Sequence, residues 1–145
     1  MLELTKDLLT NEPEKIAIKE MEDARNKSKA SSTQIRKFYD DFLLLHTKAH
    51  RDEESEKSFK ENILPLIAFS KAKLAYSVGR DIIHNDFRNE IVKKVDQIDN
   101  LKDFDNFILF YQALIGYTKY YSKPTSLRTN TYQKNNKKQT YKRYN

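Results

Sequence analysis

The chain has 145 residues, a length typical of one domain, and it contains two glycines, three prolines and no cysteine. With so few turn-forming residues and 33% charged residues, the composition favours an all-α fold over a β-sheet protein. The lack of cysteine excludes disulfides, cysteine-based zinc sites and cysteine nucleophiles in this chain. It has no secretory signal pattern and no apolar run of about 20 residues, so we expect a soluble cytoplasmic protein.

The net charge of +6 is concentrated towards the C-terminal end. Residues 122–145 hold seven lysines and arginines and no acidic residue, whereas the other 121 residues hold 20 basic and 21 acidic side chains. The positive net charge therefore describes this last segment and not the rest of the chain. Any basic surface on the folded part must come from the arrangement of its charges.

The first part of the chain predicts two helical regions. Residues 1–30 form an N-terminal segment that is helical or partly disordered, with Asn11 as a candidate helix cap. A second helix begins at Thr33 or Ser32 and continues to about residue 50. Its apolar residues at helical spacing are Ile35, Phe38, Phe42, Leu45 and Ala49.

The central helix is predicted over residues 59–85. Pro65 lies near its beginning, where a missing N–H is either tolerated or produces a kink. A further helix follows over residues 86–100. Its apolar stripe consists of Phe87, Ile91, Val95 and Ile98.

The last helix, residues 101–121, is apolar over most of its circumference, a pattern typical of a helix buried on two sides. The sequence therefore predicts a compact bundle of about five helices, with residues 31–121 as the bundle domain. Residues 122–145 are rich in Asn, Thr, Lys and Tyr and lack an apolar period, which predicts a flexible basic tail.

The otherwise apolar central helix contains three cations, of which Lys71 lies apart from the other two. At 100° per residue, one face of this helix carries a polar ridge, flanked by the aromatic residues Phe69 and Tyr76. The members of the predicted ridge are Lys73, Ser77, Arg80 and His84. The ridge is either the solvated edge of an amphipathic helix or a set of cations that meets a nucleic-acid backbone. Lys71 either extends out of the core or marks a second contact.

Gly79 is a weak helix former inside this predicted helix. A glycine in a helix interior costs about 1 kcal/mol relative to alanine. We therefore expect another helix or a ligand to approach the backbone closely at this position.

His46 and His50 lie four residues apart, a spacing that can hold a metal ion. The third ligand would come from the acidic run Asp52, Glu53 and Glu54. An ordinary, partly buried histidine is the alternative, and we expect this second case and no metal site. The chain has no glycine-rich phosphate loop, no nucleophile elbow and no carboxylate pair with reason for shifted pKa values, so we expect neither enzymatic activity nor a cofactor.

Three segments together resemble a known family. They are SSTQIRKFY (31–39), AFSKAKLAYSVGR (68–80) and KDFDNFILFYQALIGYTKYY (102–121). Their order and spacing are similar to those of the small α-helical subunit of the type III-A CRISPR effector, the Csm complex. The resemblance implies a non-catalytic subunit, present in several copies, that lines the channel holding guide RNA paired to target RNA in antiviral defence.

The resemblance also implies partners and site residues. The partners are the large subunit, the repeating backbone subunits, other copies of the chain, and the guide and target RNAs, with no membrane involved. The family's basic residues at a helix start and along the central helix fall here on Arg36, Lys37, Lys71, Lys73 and Arg80. These five side chains are the predicted RNA-binding residues.

Two other classes of function fit the composition. The first is a self-associating helical scaffold whose basic tail binds polyanions; deleting the chain from about residue 122 would then abolish RNA binding. The second is a small metal-dependent hydrolase that uses His46 and His50, which elemental analysis of the purified protein would test.

Overall fold

The computed structural model describes residues 1–24, 31–51 and 56–123, and these ranges contain helices and turns but no strand. The helices are α1 (Lys6–Leu9), α2 (Asn11–Ala24), α3 (Ser31–Arg51), α4 (Glu56–Ser58), α5 (Leu64–Gly79), α6 (Asn85–Val95) and α7 (Leu101–Tyr121), and a π-helical turn at Phe59–Ile63 joins α4 to α5. The predicted all-α bundle is confirmed, since α2, α3, α5, α6 and α7 are its five longer helices. No helix in the described ranges is long and apolar enough to cross a bilayer. The predicted tail lies, from residue 124 onwards, outside the described residues.

The last helix, α7, is the centre of the core. It packs against α2 and α3, while α5 packs against α6. The ring of Phe42 on α3 meets the ring of Phe107 edge to face, with 4.8 Å between ring centres. The fully buried side chains of α7 are Phe104, Phe107, Phe110, Tyr111 and Leu114. Burial on several sides explains why this helix is apolar around most of its circumference.

Two polar side chains of α7 fasten the beginning of the chain to the core. The buried carboxylate of Asp103 accepts the backbone N–H of Leu2 at 3.1 Å, and the amide of Asn106 donates to the carbonyl of Leu2 at 2.9 Å. The prediction of Asn11 as a helix cap is wrong, because Asn11 is the first residue of α2 and its amide donates to Asp7.

The central helix begins differently from the prediction. The N–H of Leu64 bonds to the carbonyl of Phe59, five residues back, so the chain enters α5 through a π-helical turn. Pro65 lies in the first turn of α5, where its missing N–H is tolerated.

The central helix also ends earlier than predicted, at Gly79. A Schellman motif closes it: Ile82 N–H bonds to Ser77 O at 2.9 Å, and Asp81 N–H bonds to Val78 O at 3.0 Å. Asp81 takes the left-handed conformation, with φ of 58°, that this motif requires. No other helix of the described chain makes the close approach expected at Gly79, because a Cβ placed there meets no protein atom within 4 Å.

Candidate nucleic-acid interface

Five exposed side chains follow one line along α5 and its C-terminal cap, and we call this set the α5 stripe. Its members are Leu66, Phe69, Lys73, Tyr76 and Arg80. Their spacing confines them to an arc of about 80° on the helix circumference. Ile67 and Leu74, on the opposite side of α5, are fully buried. The helix therefore presents a surface of alternating aromatic and cationic side chains to solvent.

Each cation of the α5 stripe lies over an aromatic ring one turn before it. Lys73 Nζ is 5.5 Å from the centre of the Phe69 ring, and Arg80 Cζ is 5.7 Å from the centre of the Tyr76 ring. Arg80 also donates through Nη1 to the hydroxyl of Tyr76 at 3.4 Å. The two rings are 58% and 65% exposed, in chain order. The rings thus orient the cations and stay open to further stacking.

Neither cation of the α5 stripe is neutralised by an acidic partner from the described residues. Lys73 and Arg80 are seven residues apart, or about 10 Å of helix axis. An unpaired cation on a rigid helix can contact a phosphate without first breaking an ion pair.

The predicted ridge does not continue past Arg80. Ser77 is only 4% exposed and faces the core. His84 lies beyond the end of α5, at the N-terminal cap of α6, where its Nδ1 is 2.9 Å from a carboxylate oxygen of Glu20. The polar line that reaches solvent therefore includes Phe69 and Tyr76 in place of Ser77 and His84.

Lys71 has a different environment from the other cations of α5. It is half-buried and forms an ion pair with Asp96, the residue that caps the C-terminal end of α6. This contact joins α5 to α6. For Lys71 to reach a phosphate, the ion pair with Asp96 would have to open.

Arg36 and Lys37 are exposed near the beginning of α3, and no described acidic group forms an ion pair with either. Phe38, next to Lys37, lines a groove between α3 and α5 whose rim includes Lys73. The other residues that line this groove are Asp41, Phe42, Leu44, Leu45, Leu66, Phe69 and Ser70. The groove thus connects the start of α3 with the α5 stripe along a largely apolar surface.

A second polar cluster joins α3 to α7. Asp105 Oδ1 lies 2.6 Å from the Nε2 atoms of both His46 and His50. The acidic run at 52–54, predicted as the source of a third metal ligand, lies outside the described residues. Asp105 was missed because it is 59 residues from His46, and no local pattern connects the two.

Comparison with known proteins gives one family. A family model described as Csm2 Type III-A matches residues 4–124, which is more than half of the chain. No curated protein and no solved structure gives a significant match. The matched range includes α2 to α7 and therefore the whole α5 stripe.

Proposed function

The chain belongs to the Csm2 family, the small subunits of the type III-A CRISPR complex, and we propose that it holds guide RNA paired to target RNA through backbone phosphates. In this proposal several copies line the RNA channel of the complex beside the other Csm subunits. The subunit has no catalysis of its own and supports target binding in antiviral defence.

The observation that carries this proposal is the pair of exposed cation–aromatic contacts on the α5 stripe. Lys73 and Arg80 supply charge to phosphates, and Phe69 and Tyr76 supply flat surfaces on which bases or riboses stack. Such contacts do not distinguish one base from another, because the sequence is read by pairing between the guide and its target. Binding is therefore tolerant of sequence and sensitive to salt.

The other predicted RNA-binding residues have different roles in the proposal. Arg36 and Lys37 extend the basic surface from the α5 stripe to the start of α3. Lys71 contributes less, since its ion pair with Asp96 competes with phosphate. One copy offers few phosphate contacts, so a single chain binds weakly, and tight retention requires several copies on one RNA.

The absence of natural cysteine allows a direct test by cross-linking. Ala72→Cys places a thiol on the exposed side of α5 beside Lys73, and Lys102→Cys places one at the start of α7, outside the α5 stripe. Each variant is labelled with a thiol-reactive photo-cross-linker, assembled into the Csm complex and irradiated with labelled target RNA bound. RNA cross-links at position 72 and not at 102 support the proposal. A complex that retains RNA without cross-links at position 72 contradicts it.

A self-associating scaffold with a polyanion-binding tail is the second candidate. It is favoured by the exposed apolar side chains of Leu44 and of Leu66, Phe69 and Tyr76 in the α5 stripe, which suit helix–helix contacts between copies. Deleting residues 124–145 distinguishes the scaffold from the channel subunit. The deletion abolishes RNA binding by the scaffold and largely spares binding by the channel subunit.

A further inference from the structure

The cluster of His46, His50 and Asp105 has the chemistry of a metal site. The two histidines project from successive turns of α3, and their Nε2 atoms both point at Asp105 Oδ1 of α7, each at 2.6 Å. One ligand atom from each residue lies within 4.8 Å of the others. Two imidazole nitrogens and a carboxylate oxygen form a ligand set that binds zinc and related divalent transition ions.

From this convergence we propose that His46, His50 and Asp105 bind a divalent transition-metal ion of the zinc class. Bonds of about 2.0–2.1 Å around one tetrahedral ion place neighbouring ligand atoms about 3.3 Å apart. The two distances of 2.6 Å between the histidine Nε2 atoms and Asp105 Oδ1 thus need to widen by less than about 1 Å. The ligand set disfavours magnesium and calcium, which prefer oxygen ligands throughout.

The surrounding structure holds the ligands in place. The ring of His46 packs edge to face on buried Phe104, 5.3 Å between ring centres. The two helices that carry the ligands are fixed to each other by the hydroxyl of Tyr111, which donates to the carbonyl of Ile35 at 2.9 Å. Sites built on rigid helices need little rearrangement to accept an ion.

The exposure of the cluster leaves room for a fourth ligand. The side chains of His46, Asp105 and His50 are 21%, 40% and 47% exposed, so the cluster lies at the surface between α3 and α7. Solvent can therefore supply a water molecule to complete a tetrahedral ion. The bound ion would clasp the C-terminal half of α3 to the N-terminal half of α7, independently of whether the α5 stripe binds RNA.

The test uses untagged full-length protein, freed of metal with a chelator and titrated with Co²⁺. Tetrahedral Co²⁺ gives intense visible absorption bands, and Zn²⁺ then displaces Co²⁺ and removes them. We expect one Co²⁺ per chain and an affinity at least ten-fold lower in His50→Gln and in Asp105→Asn. His50→Gln is the sharper variant because glutamine keeps a hydrogen-bond donor for Asp105 but is a poor transition-metal ligand.

His84→Gln is the matched control, since it removes the third histidine of the chain and leaves the cluster intact. Circular dichroism confirms that each variant is folded. The proposal is overturned if the wild-type protein gives no tetrahedral Co²⁺ bands, or if the bands persist unchanged in folded His50→Gln. The proposal is also overturned if Zn²⁺ leaves the melting temperature of the wild-type protein unchanged while His50→Gln lowers it. That result identifies the cluster as a metal-free hydrogen-bonded contact between α3 and α7.

Discussion

The buried carboxylate of Glu20 holds His84 at two points. One oxygen accepts the backbone N–H of His84 at 3.2 Å, and the other lies 2.9 Å from its Nδ1. The contact joins α2 to the N-cap residue of α6, which lies 64 positions later in the chain. It also explains why His84 belongs to the core packing of α2 and α6 and not to the exposed surface of α5.

Glu20→Ala should lower the free energy of unfolding by about 2–3 kcal/mol. The substitution leaves the N–H and the ring of His84 without their acceptor, and hydrogen bonds to a charged group contribute about 1.5–3 kcal/mol each. Urea unfolding followed by circular dichroism measures the change. Glu22→Ala, at an exposed position of the same helix, is the control and should change stability by less than about 0.5 kcal/mol. Equal effects of the two substitutions would refute this role for Glu20.

The phenol of Tyr111 should make stability fall at high pH. Burial, with a smaller effect from the charge of Asp41, raises the pKa of Tyr111 well above its ordinary value of about 10. Above pH 10 the unfolded chain releases this proton while the native protein keeps it. The contribution of the protonated Tyr111 phenol to the free energy of unfolding is therefore complete below pH 10. Above pH 10 it decreases by up to about 1.4 kcal/mol per pH unit.

Comparison with Tyr111→Phe isolates this effect, because titration of the other tyrosines changes the stability of both proteins equally and cancels in the difference. At pH 7 the variant should be less stable by about 1 kcal/mol, because it lacks the hydrogen bond to Ile35 O. The difference in the free energy of unfolding between the wild-type protein and the variant should decrease as the pH rises above 10. Urea midpoints measured from pH 7 to pH 11 test this, and a difference that stays constant over that range would contradict it.

Gly79→Ala should stabilise the isolated protein by about 0.5–1 kcal/mol. A Cβ at this position meets nothing within 4 Å, and alanine reduces the conformational entropy of the unfolded chain. Thermal unfolding of the purified variant measures the gain. A loss of stability would show that the backbone at Gly79 requires glycine after all.

The apolar positions of this fold were predictable because they are local. Periodicity alone predicted that Phe87, Ile91, Val95 and Ile98 face the core, and all four are buried. The helix is shorter than the predicted range of 86–100, because α6 ends at Val95 and Ile98 follows it. The C-terminal end of α5 was not predictable from the sequence. The left-handed residue of its Schellman motif is Asp81, whereas glycine is the usual residue at that position.

The candidate sites were predictable only in part, since side-chain partners come from distant segments. The cations Lys73 and Arg80 and their aromatic neighbours were evident from spacing along one helix. The pairing of Lys71 with Asp96 and of His46 with Asp105 depends on contacts between helices, which no local pattern encodes. The structure thus separates Lys71 from Lys73, although both are cations of the same helix.

The contrast between these two lysines gives a prediction on RNA binding. In the assembled complex, Lys73→Ala should weaken target RNA retention more than Lys71→Ala, because Lys73 is unpaired in the described chain and Lys71 is bound to Asp96. Lys71→Ala should instead lower protein stability by up to about 1 kcal/mol, as expected for a partly exposed ion pair. Filter binding and thermal unfolding measure the two effects, and the reverse order of RNA affinities would contradict this assignment.

The central claim is that the α5 stripe contacts RNA phosphates, and the salt dependence of RNA binding tests it most directly. Target RNA affinity is measured over a range of KCl concentrations for complexes assembled with the wild-type subunit and with Lys73→Ala/Arg80→Ala. The control, Lys6→Ala/Lys102→Ala, removes the same charge at exposed positions outside the stripe. We predict that the slope of log K against log salt becomes shallower by about 1.4–1.8 for each copy replaced, and only in the stripe variant. An unchanged slope and affinity in a complex that assembles normally would contradict the account.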